Sequence, residues 1–562
     1  MKMKKILTRL IICAVVMFLA SCEKFLDVNV NPNNATDSNA DLVLPQAIVA
    51  TAAHTSGFNQ SMNVPGGFFA GVAGVGGYGA TYTWAYTTNS FTAMWTNTYD
   101  NANDYQYVIA TNAGDPQLVF TTSIARIMKA YAFARLVDQY NDVPYSDALK
   151  GVGSLAPKYD KAEDIYKDLI KELTESINAI SAGQVAPISA GIKAVASPID
   201  PLYKGSGTFA TSFSGMDKWK RFANSLRLRM LVKMAGVPSL NAYATPLFAT
   251  TASVGYIQED ALCNPGYTKE AGRQSPQWNN MGASISDLAT ITQNVPTKWI
   301  LSFYNGVKLA DPVRGSVSFR SFPNTNSNQL GDETSGSVAA VAPPYNAWYS
   351  AATWADAAAG NAYGIAKGPA QGQPMFLLSE LNFLLAEAQV RNYIPAGDLG
   401  AAAFKAGITA SFDYLYRNQN GVLNPAKVAP SASCPTCTTI ATDVDNYITN
   451  NAGAAKPYLV NYALALTAAQ KIEAISTQKY IALANIMNDE AFNEYKRTGF
   501  PAVITNGPNS STDTFASKQS VATSPDKIIT RFLYPQEEYN LNAGNAKPGI
   551  SLYTSKIFWD VN

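Results

Sequence analysis

The chain has 562 residues, with 42 Lys and Arg against 41 Asp and Glu and a single histidine, for a formal net charge of +1. That balance excludes the strongly basic surface expected of a nucleic-acid-binding protein, and one imidazole leaves one centre at most for Ser-His-Asp or Cys-His catalysis. Charged residues are only 15% of the chain, so its surface is expected to be built of neutral Asn, Thr, Ser, Gly and Tyr loops.

Lys2, Lys4, Lys5 and Arg9 precede an apolar run from Leu10 to Phe18, then small residues and Cys22. This is the layout of a secretory signal with its cleavage site, and the run is too short for a permanent bilayer span. Leu19-Ala20-Ser21-Cys22 resembles the lipobox of bacterial lipoproteins. The resemblance implies loss of residues 1–21, a diacylglycerol thioether on Cys22 and an acyl group on its new amine. Such an anchor holds by about 0.8 kcal/mol for each buried methylene. Cleavage also removes four cations and turns the formal net charge to −3. In residues 22–40, Pro32 and the Asn cluster of "DVNVNPNNAT" oppose a helix. This stretch reads as an extended tether, and residues 41–562 as one body.

Helical periodicity dominates the body. His54 follows an apolar helix from Leu44 to Ala53 and reads as structural. In "TTSIARIMKAYAFARLVDQY", Ile124, Ile127, Met128 and Tyr131 share a stripe, with Ala125 and Ala132 leaving room for a neighbour. "DKAEDIYKDLIKELTESINAI" repeats Ile165, Leu169, Leu173, Ile177 and Ile180 behind a capping box of Asp160 and Glu163. Residues 217–236, 374–392, 401–418 and 467–500 are equally helical, and 374–392 is apolar on more than one face. Helices with small-residue positions suggest tetratricopeptide-like hairpins, without a strict 34-residue period. Arg497 and Arg531 are expected to form ion pairs that lock the helices and the closing segment.

Between the helices run long polar stretches, at 56–88, 183–215, 316–372, 420–455 and 502–526. Loops of that length are usually functional or disordered. "GVAGVGGYG" (71–79) lacks the Lys-Ser/Thr of a phosphate loop. Cys434 and Cys437 form a lone CxxC in a loop and are expected to pair as a small disulfide. No ligand set for a metal and no cofactor motif is read. Trp95 and Trp219 fall in helical patterns and are assigned to the core. Trp84, Trp278, Trp348 and Trp354 fall in loops, accompanied by Tyr82, Tyr86, Asn279, Asn280, Tyr345 and Tyr349. Indole and phenol rings pack against sugar C–H faces, and amides serve the hydroxyls. These loop residues are therefore the candidate ligand platform, with Trp84 and Trp348 preferred because neither has an evident packing duty.

Further stretches carry a family resemblance: the lipobox and "DVNVNPNNAT", "LVDQYNDVPYSDAL" (136–149), "WKRFANSLRLRM" (219–230), "LADPVR" (309–314), "SELNFLLAEAQVR" (379–391), "FKAGITASF" (404–412), "QKYIALANIMNDEAFNEYKRTGFP" (478–501) and "RFLYPQEEYNLN" (531–542). In that order and spacing the chain resembles the SusD/RagB-like nutrient-binding outer-membrane lipoproteins of Bacteroidota. Asn141 departs by standing where many relatives have Gly. The resemblance implies a mainly α fold, with tetratricopeptide-like hairpins packed against a loop-rich ligand-binding half with a few short strands. It implies a non-enzymatic protein at the cell exterior, lipid-anchored in the outer membrane, that hands oligosaccharide to a SusC-like TonB-dependent transporter. Oligopeptide is the alternative cargo, and a cell-surface hydrolase the weaker competitor.

Overall fold

A computed structural model describes residues 39–74, 77–185, 191–205, 214–334, 338–504 and 511–562. The signal segment, Cys22 and the tether up to residue 38 lie outside the described residues. The Asn39 side chain accepts from the Asp41 amide at 2.9 Å, and this cap starts helix α1 (Ala40–Ser61) at the last residue assigned to the tether. Helices α2 (Thr92–Thr111), α3 (Val119–Tyr140), α4 (Ala162–Gly183), α5 (Ser214–Ala235) and α6 (Pro238–Ala252) each pack on the one before. After the short α7 (Pro312–Ser318), α8 (Leu378–Val390) pairs with α9 (Ala401–Tyr416), and α10 (Ile440–Asn450) packs on α9. Helix α11 (Ala468–Leu483) lies on α8, and α12 (Asn488–Thr498) joins α11 to α1. Neighbour packs on neighbour, as the tetratricopeptide-like reading requires.

The strands form three antiparallel pairs: β1 (Phe69–Gly71) with β5 (Asn294–Pro296), β2 (Val143–Pro144) with β3 (Tyr159–Asp160), and β4 (Ala261–Cys263) with β6 (Gln373–Phe376). Among the described residues no helix is long and apolar enough to cross a membrane. Cys434 and Cys437 are bonded, and Cys263 is a buried free thiol that burial pushes up to about 12.

Several local readings change. Asp160 is not a helix cap; it lies in β3, and its carboxylate accepts from the Tyr145 and Ser146 amides. Asp142 takes over at α4, accepting from the Ala162 amide at 2.8 Å. The start of 374–392 is strand, and 467–500 breaks into α11 and α12. Asn141 has φ 64, the backbone that its replacement of Gly requires. Arg531 forms no ion pair among the described residues; it donates to the Tyr140 and Phe532 carbonyls.

Helix α12 is the centre of the body. Its sequence "NDEAFNEYKRT" is strongly polar, yet every residue from Asn488 to Arg497 is buried. Glu490 meets Lys233 at 3.0 Å and Arg229 at 3.5 Å. Lys233 reaches on to Asp138 at 2.7 Å, and Arg229 grips Glu380 with two 2.7 Å hydrogen bonds. Asp489 faces Arg135 at 2.7 Å, and Glu494 receives Lys479 at 3.0 Å and Arg497, which also forks onto Glu387. Trp559 and Lys233 both donate to the Asp138 carboxylate. Charges on α3, α5, α8, α11 and α12 thus neutralise one another out of water. Burial alone would raise the Glu490 carboxyl, but Arg229, Lys233 and Lys479 hold it well below the usual range. Burial also works against Glu494, and Arg497 and Lys479 overcome it.

Removing one partner of such a set strands the other charge and typically costs 3–5 kcal/mol. Glu490→Gln is therefore expected to destabilise the protein by about that much at pH 7, read by urea unfolding. A depressed folded-state pKa stabilises above the unfolded value, about 4.3 for Glu, and that gain is lost as the pH falls toward the folded value. The gap between wild type and variant should accordingly shrink below about pH 4.

Candidate functional site

Strand β1 organises the candidate residues. The Phe69 ring stacks on Trp348 with centroids 3.9 Å apart. At Gly71 the chain leaves no room for a side chain: a Cβ there would lie 2.7 Å from the Tyr82 hydroxyl and 2.8 Å from Glu333 Cγ. The Glu333 carboxylate is buried, accepting from the Gly71 and Gly331 amides at 3.1 and 2.7 Å. Burial first, and then its charge, raise the Tyr82 phenol.

Four predicted residues form one aromatic cluster. Tyr349 lies 4.2 Å from Trp354, Tyr345 lies 5.2 Å from Trp354, and Trp278 meets Trp354 edge-on at 5.6 Å. The Tyr349 hydroxyl donates to the Thr353 carbonyl. Trp278 covers Gly282 so closely that a Cβ at that position would sit 2.4 Å from its ring. Asn346 fixes the cluster to the 276–281 helix: its amide donates to the Met281 and Gly282 carbonyls at 3.0 Å, and its oxygen accepts from the Trp348 amide. The Arg320 guanidinium stacks on Tyr345 at 3.9 Å and donates to the Tyr349 and Ala351 carbonyls. Neither Asn346 nor Arg320 was among the residues expected from sequence. The available signal was that, apart from buried Lys367, Arg320 is the only cation in residues 316–372.

The remaining candidates separate from this cluster. Tyr86 packs against Phe91, and the Trp84 carbonyl accepts from the Tyr553 hydroxyl. Trp84 has φ 57 and, like Trp348, is fully buried. This corrects the expectation that Trp84 and Trp348 lack a packing duty. Trp278, Tyr349 and Trp354 are also buried, Tyr82, Tyr86 and Tyr345 are half-buried, and Asn279 is exposed. The indole N–H groups of Trp84, Trp278, Trp348 and Trp354 find no acceptor among the described residues, whereas Trp219, Trp299 and Trp559 donate to Asp200, Tyr480 and Asp138. Asn280 donates to the Ser56 hydroxyl, placing it in the frame.

A broad concavity, about 1000 Å³, lies elsewhere, where residues 258–262 face α8 and α9, lined by Asp260, Lys405, Asp413 and Arg417. No group of three potential metal ligands forms among the described residues. His54 is half-buried, and burial lowers its pKa against the opposing charge of Asp100. Its Nδ1 has no hydrogen-bond partner.

Residues 32–535 match the family model SusD-like, described as starch-binding proteins associating with the outer membrane. The chain belongs to the SusD-like family. The fold agrees with solved SusD homologues. One from Bacteroides fragilis has a TM-score of 0.64 at 20% identity, over 93% of this chain and 100% of that one. A chitin-binding SusD homologue from Flavobacterium johnsoniae gives 0.63 at 19% identity, over 92% and 99%. A Bacteroides uniformis homologue gives 0.61 at 20% identity, over 94% and 100%. No curated protein matches the sequence. The SusD-like family is one of outer-membrane-associated nutrient-binding proteins, and within its fold the aromatic cluster of this chain joins the 276–281 helix to the 345–354 loop.

Burial divides the SusD-like chain's candidate aromatics into core and rim. Trp84→Ala or Trp348→Ala is expected to lower stability by about 3–5 kcal/mol, the usual cost of emptying a buried indole site. Asn279→Ala, at an exposed position, should stay within about 0.5 kcal/mol. Chemical denaturation of the three variants tests the division.

Proposed function

We propose that this protein is a surface-exposed nutrient-binding lipoprotein that captures oligosaccharide and delivers it to a SusC-like TonB-dependent transporter. The observation that carries the reading is half-buried Tyr345 backed by the buried rings of Trp278, Tyr349 and Trp354, with exposed Asn279 next to Trp278 in the chain, in a member of a family described as starch-binding. Phenol faces offer a sugar apolar contact, and the amide serves its hydroxyls. Tyr82 and Tyr86, both half-buried, lie apart from this cluster as further candidate contacts. Trp348 ties the 345–354 loop to β1 through its stack on Phe69, and Trp84 is buried elsewhere.

The lipobox resemblance supplies the anchor, with Cys22 as the lipidated residue. Lipid on one end of a chain with no membrane-spanning helix among its described residues fits a cover held at the membrane rather than passing through it. The helical body supplies the surface for the transporter.

Calorimetry against a panel of oligosaccharides and oligopeptides tests the cargo. A glycan is expected to bind, and Tyr345→Ala to weaken it by roughly 1–3 kcal/mol, as for other ring contacts at interfaces. Peptide binding without glycan binding would overturn the oligosaccharide reading, and turnover of either would make the protein an enzyme. Cys22→Ala is expected to move the protein from the membrane fraction to the soluble one. Mild detergent should extract the wild type with its transporter; recovery as a free monomer beside intact transporter would refute the partnership.

A further inference from the structure

Arg320, like buried Arg227, pairs with no carboxylate among the described residues, and so differs from the arginines that hold the frame. Arg135, Arg229, Arg314 and Arg497 are buried, and each pairs with a carboxylate. Arg320 faces none. Its contacts are the Tyr345 ring and three carbonyl oxygens, of Tyr349 at 3.2 Å, Ala351 at 2.8 Å and Ala352 at 3.4 Å. A guanidinium carries five N–H donors in a planar fork, so these carbonyls leave donors over. Arg531 also donates only to carbonyls, but it is buried. Arg320 is half-buried at the rim.

The acids of the neighbouring loops are committed elsewhere. Asp356 closes the capping box of residues 353–358, accepting from the Thr353 amide and hydroxyl at 2.7 and 3.0 Å. Glu333 is buried against the amides of Gly71 and Gly331. Lys518 holds Asp332 at 2.6 Å. Burial lowers the Arg320 pKa, with only the Tyr345 and Tyr349 phenols opposing it, which is the signature of a cation drawn partly out of water without a counter-charge. A charge in that state gains most from an anion that arrives with the ligand, because the fork matches a carboxylate or sulfate in a bidentate pair. Tyr345, half-buried beneath the guanidinium, is the ring nearest the fork, and its uncovered edge is where the adjoining sugar would make apolar contact.

We propose that Arg320 is the anion-recognition residue of the glycan site, so that the captured oligosaccharide is acidic, carrying a carboxylate or a sulfate on the ring that packs at Tyr345. This rests on the oligosaccharide reading and narrows it. The protein as a whole carries a formal charge close to zero, so the preference comes from this one residue and not from a general field. It also differs from what a starch or chitin chain would need, since both are uncharged along the positions a guanidinium reads.

The experiment uses full-length mature protein and matched pairs of oligosaccharides: oligogalacturonate with its methyl ester, sulfated chondroitin oligosaccharide with its desulfated form, and neutral malto- and chito-oligosaccharides. The acidic member of one pair is expected to bind at least tenfold more tightly than its neutral partner, with the advantage shrinking between 50 and 500 mM NaCl. Preference within the first pair identifies a carboxylate, and within the second a sulfate. Arg320→Gln should erase the advantage, whereas Arg320→Lys, which keeps the charge without the fork, should retain part of it. Thermal melts of both variants separate this effect from loosening of the 345–354 loop, and the pairwise preference of the wild type stands independently of either. Equal or tighter binding of the neutral partners would overturn the acidic-glycan proposal and leave the oligosaccharide reading intact, with Arg320 a loop clamp. No binding to any glycan would overturn both.

Discussion

Neutralisation of charge away from water is the constraint on which this fold depends. Helix α12 contributes Asp489, Glu490, Glu494 and Arg497 to the interior, and each needs an opposite charge from another element. Those partners come from α3, α5, α8 and α11, so one short helix dictates the relative register of four others. Replacing an ion pair by apolar packing often stabilises a protein as well or better, so the network is poor evidence for exceptional stability. What it does is penalise error. A one-turn slip of α5 would put one of Arg229 and Lys233 in the other's place and carry the other away, leaving Asp138 or Glu380 as an unmatched buried charge.

A frame fixed in this way can carry long polar loops without losing their positions. The 345–354 loop is tied by side chains rather than by regular strands: Asn346 reaches the 276–281 helix and Arg320 gathers three of the loop's carbonyls. Stacking of Phe69 on Trp348 then joins the loop to β1. The rings exposed at the rim are consequently seated on rings that are not exposed, and the two layers have different duties. The lower layer sets position, and the upper one meets solvent.

The parts of this arrangement legible in sequence are those with a period. The stripe from Ile165 to Ile180 identifies α4, and its residues are buried as the spacing demands. The CxxC pair was legible from spacing and compartment. What escaped was burial without period. A loop tryptophan gives no local sign of whether another loop will cover it, so Trp84 and Trp348 read as surface although both are core. Helix α12 misleads in the opposite sense: "NDEAFNEYKRT" has the composition of a solvated face, and only the distant cations explain why it is interior. The Asp160 cap failed for a similar reason, since a chain turning back at β2 brought Asp142 closer to the helix start.

The ion network also has a bearing on how the chain can be made. Lys233 and Glu490 are separated by 257 residues, and Gln139 and Asn493, which share a hydrogen bond beside them, by 354. During synthesis Asp138 and Lys233 can pair with each other, but Arg135 and Arg229 emerge well before the carboxylates they face, Asp489, Glu380 and Glu490. Contacts this distant close slowly, because loop entropy must be met before the contact forms. The N-terminal hairpins cannot reach their final packing as an independent unit. Closure of the body therefore waits on α12, and one short helix near the end of the chain sets when the charges of the early helices are matched.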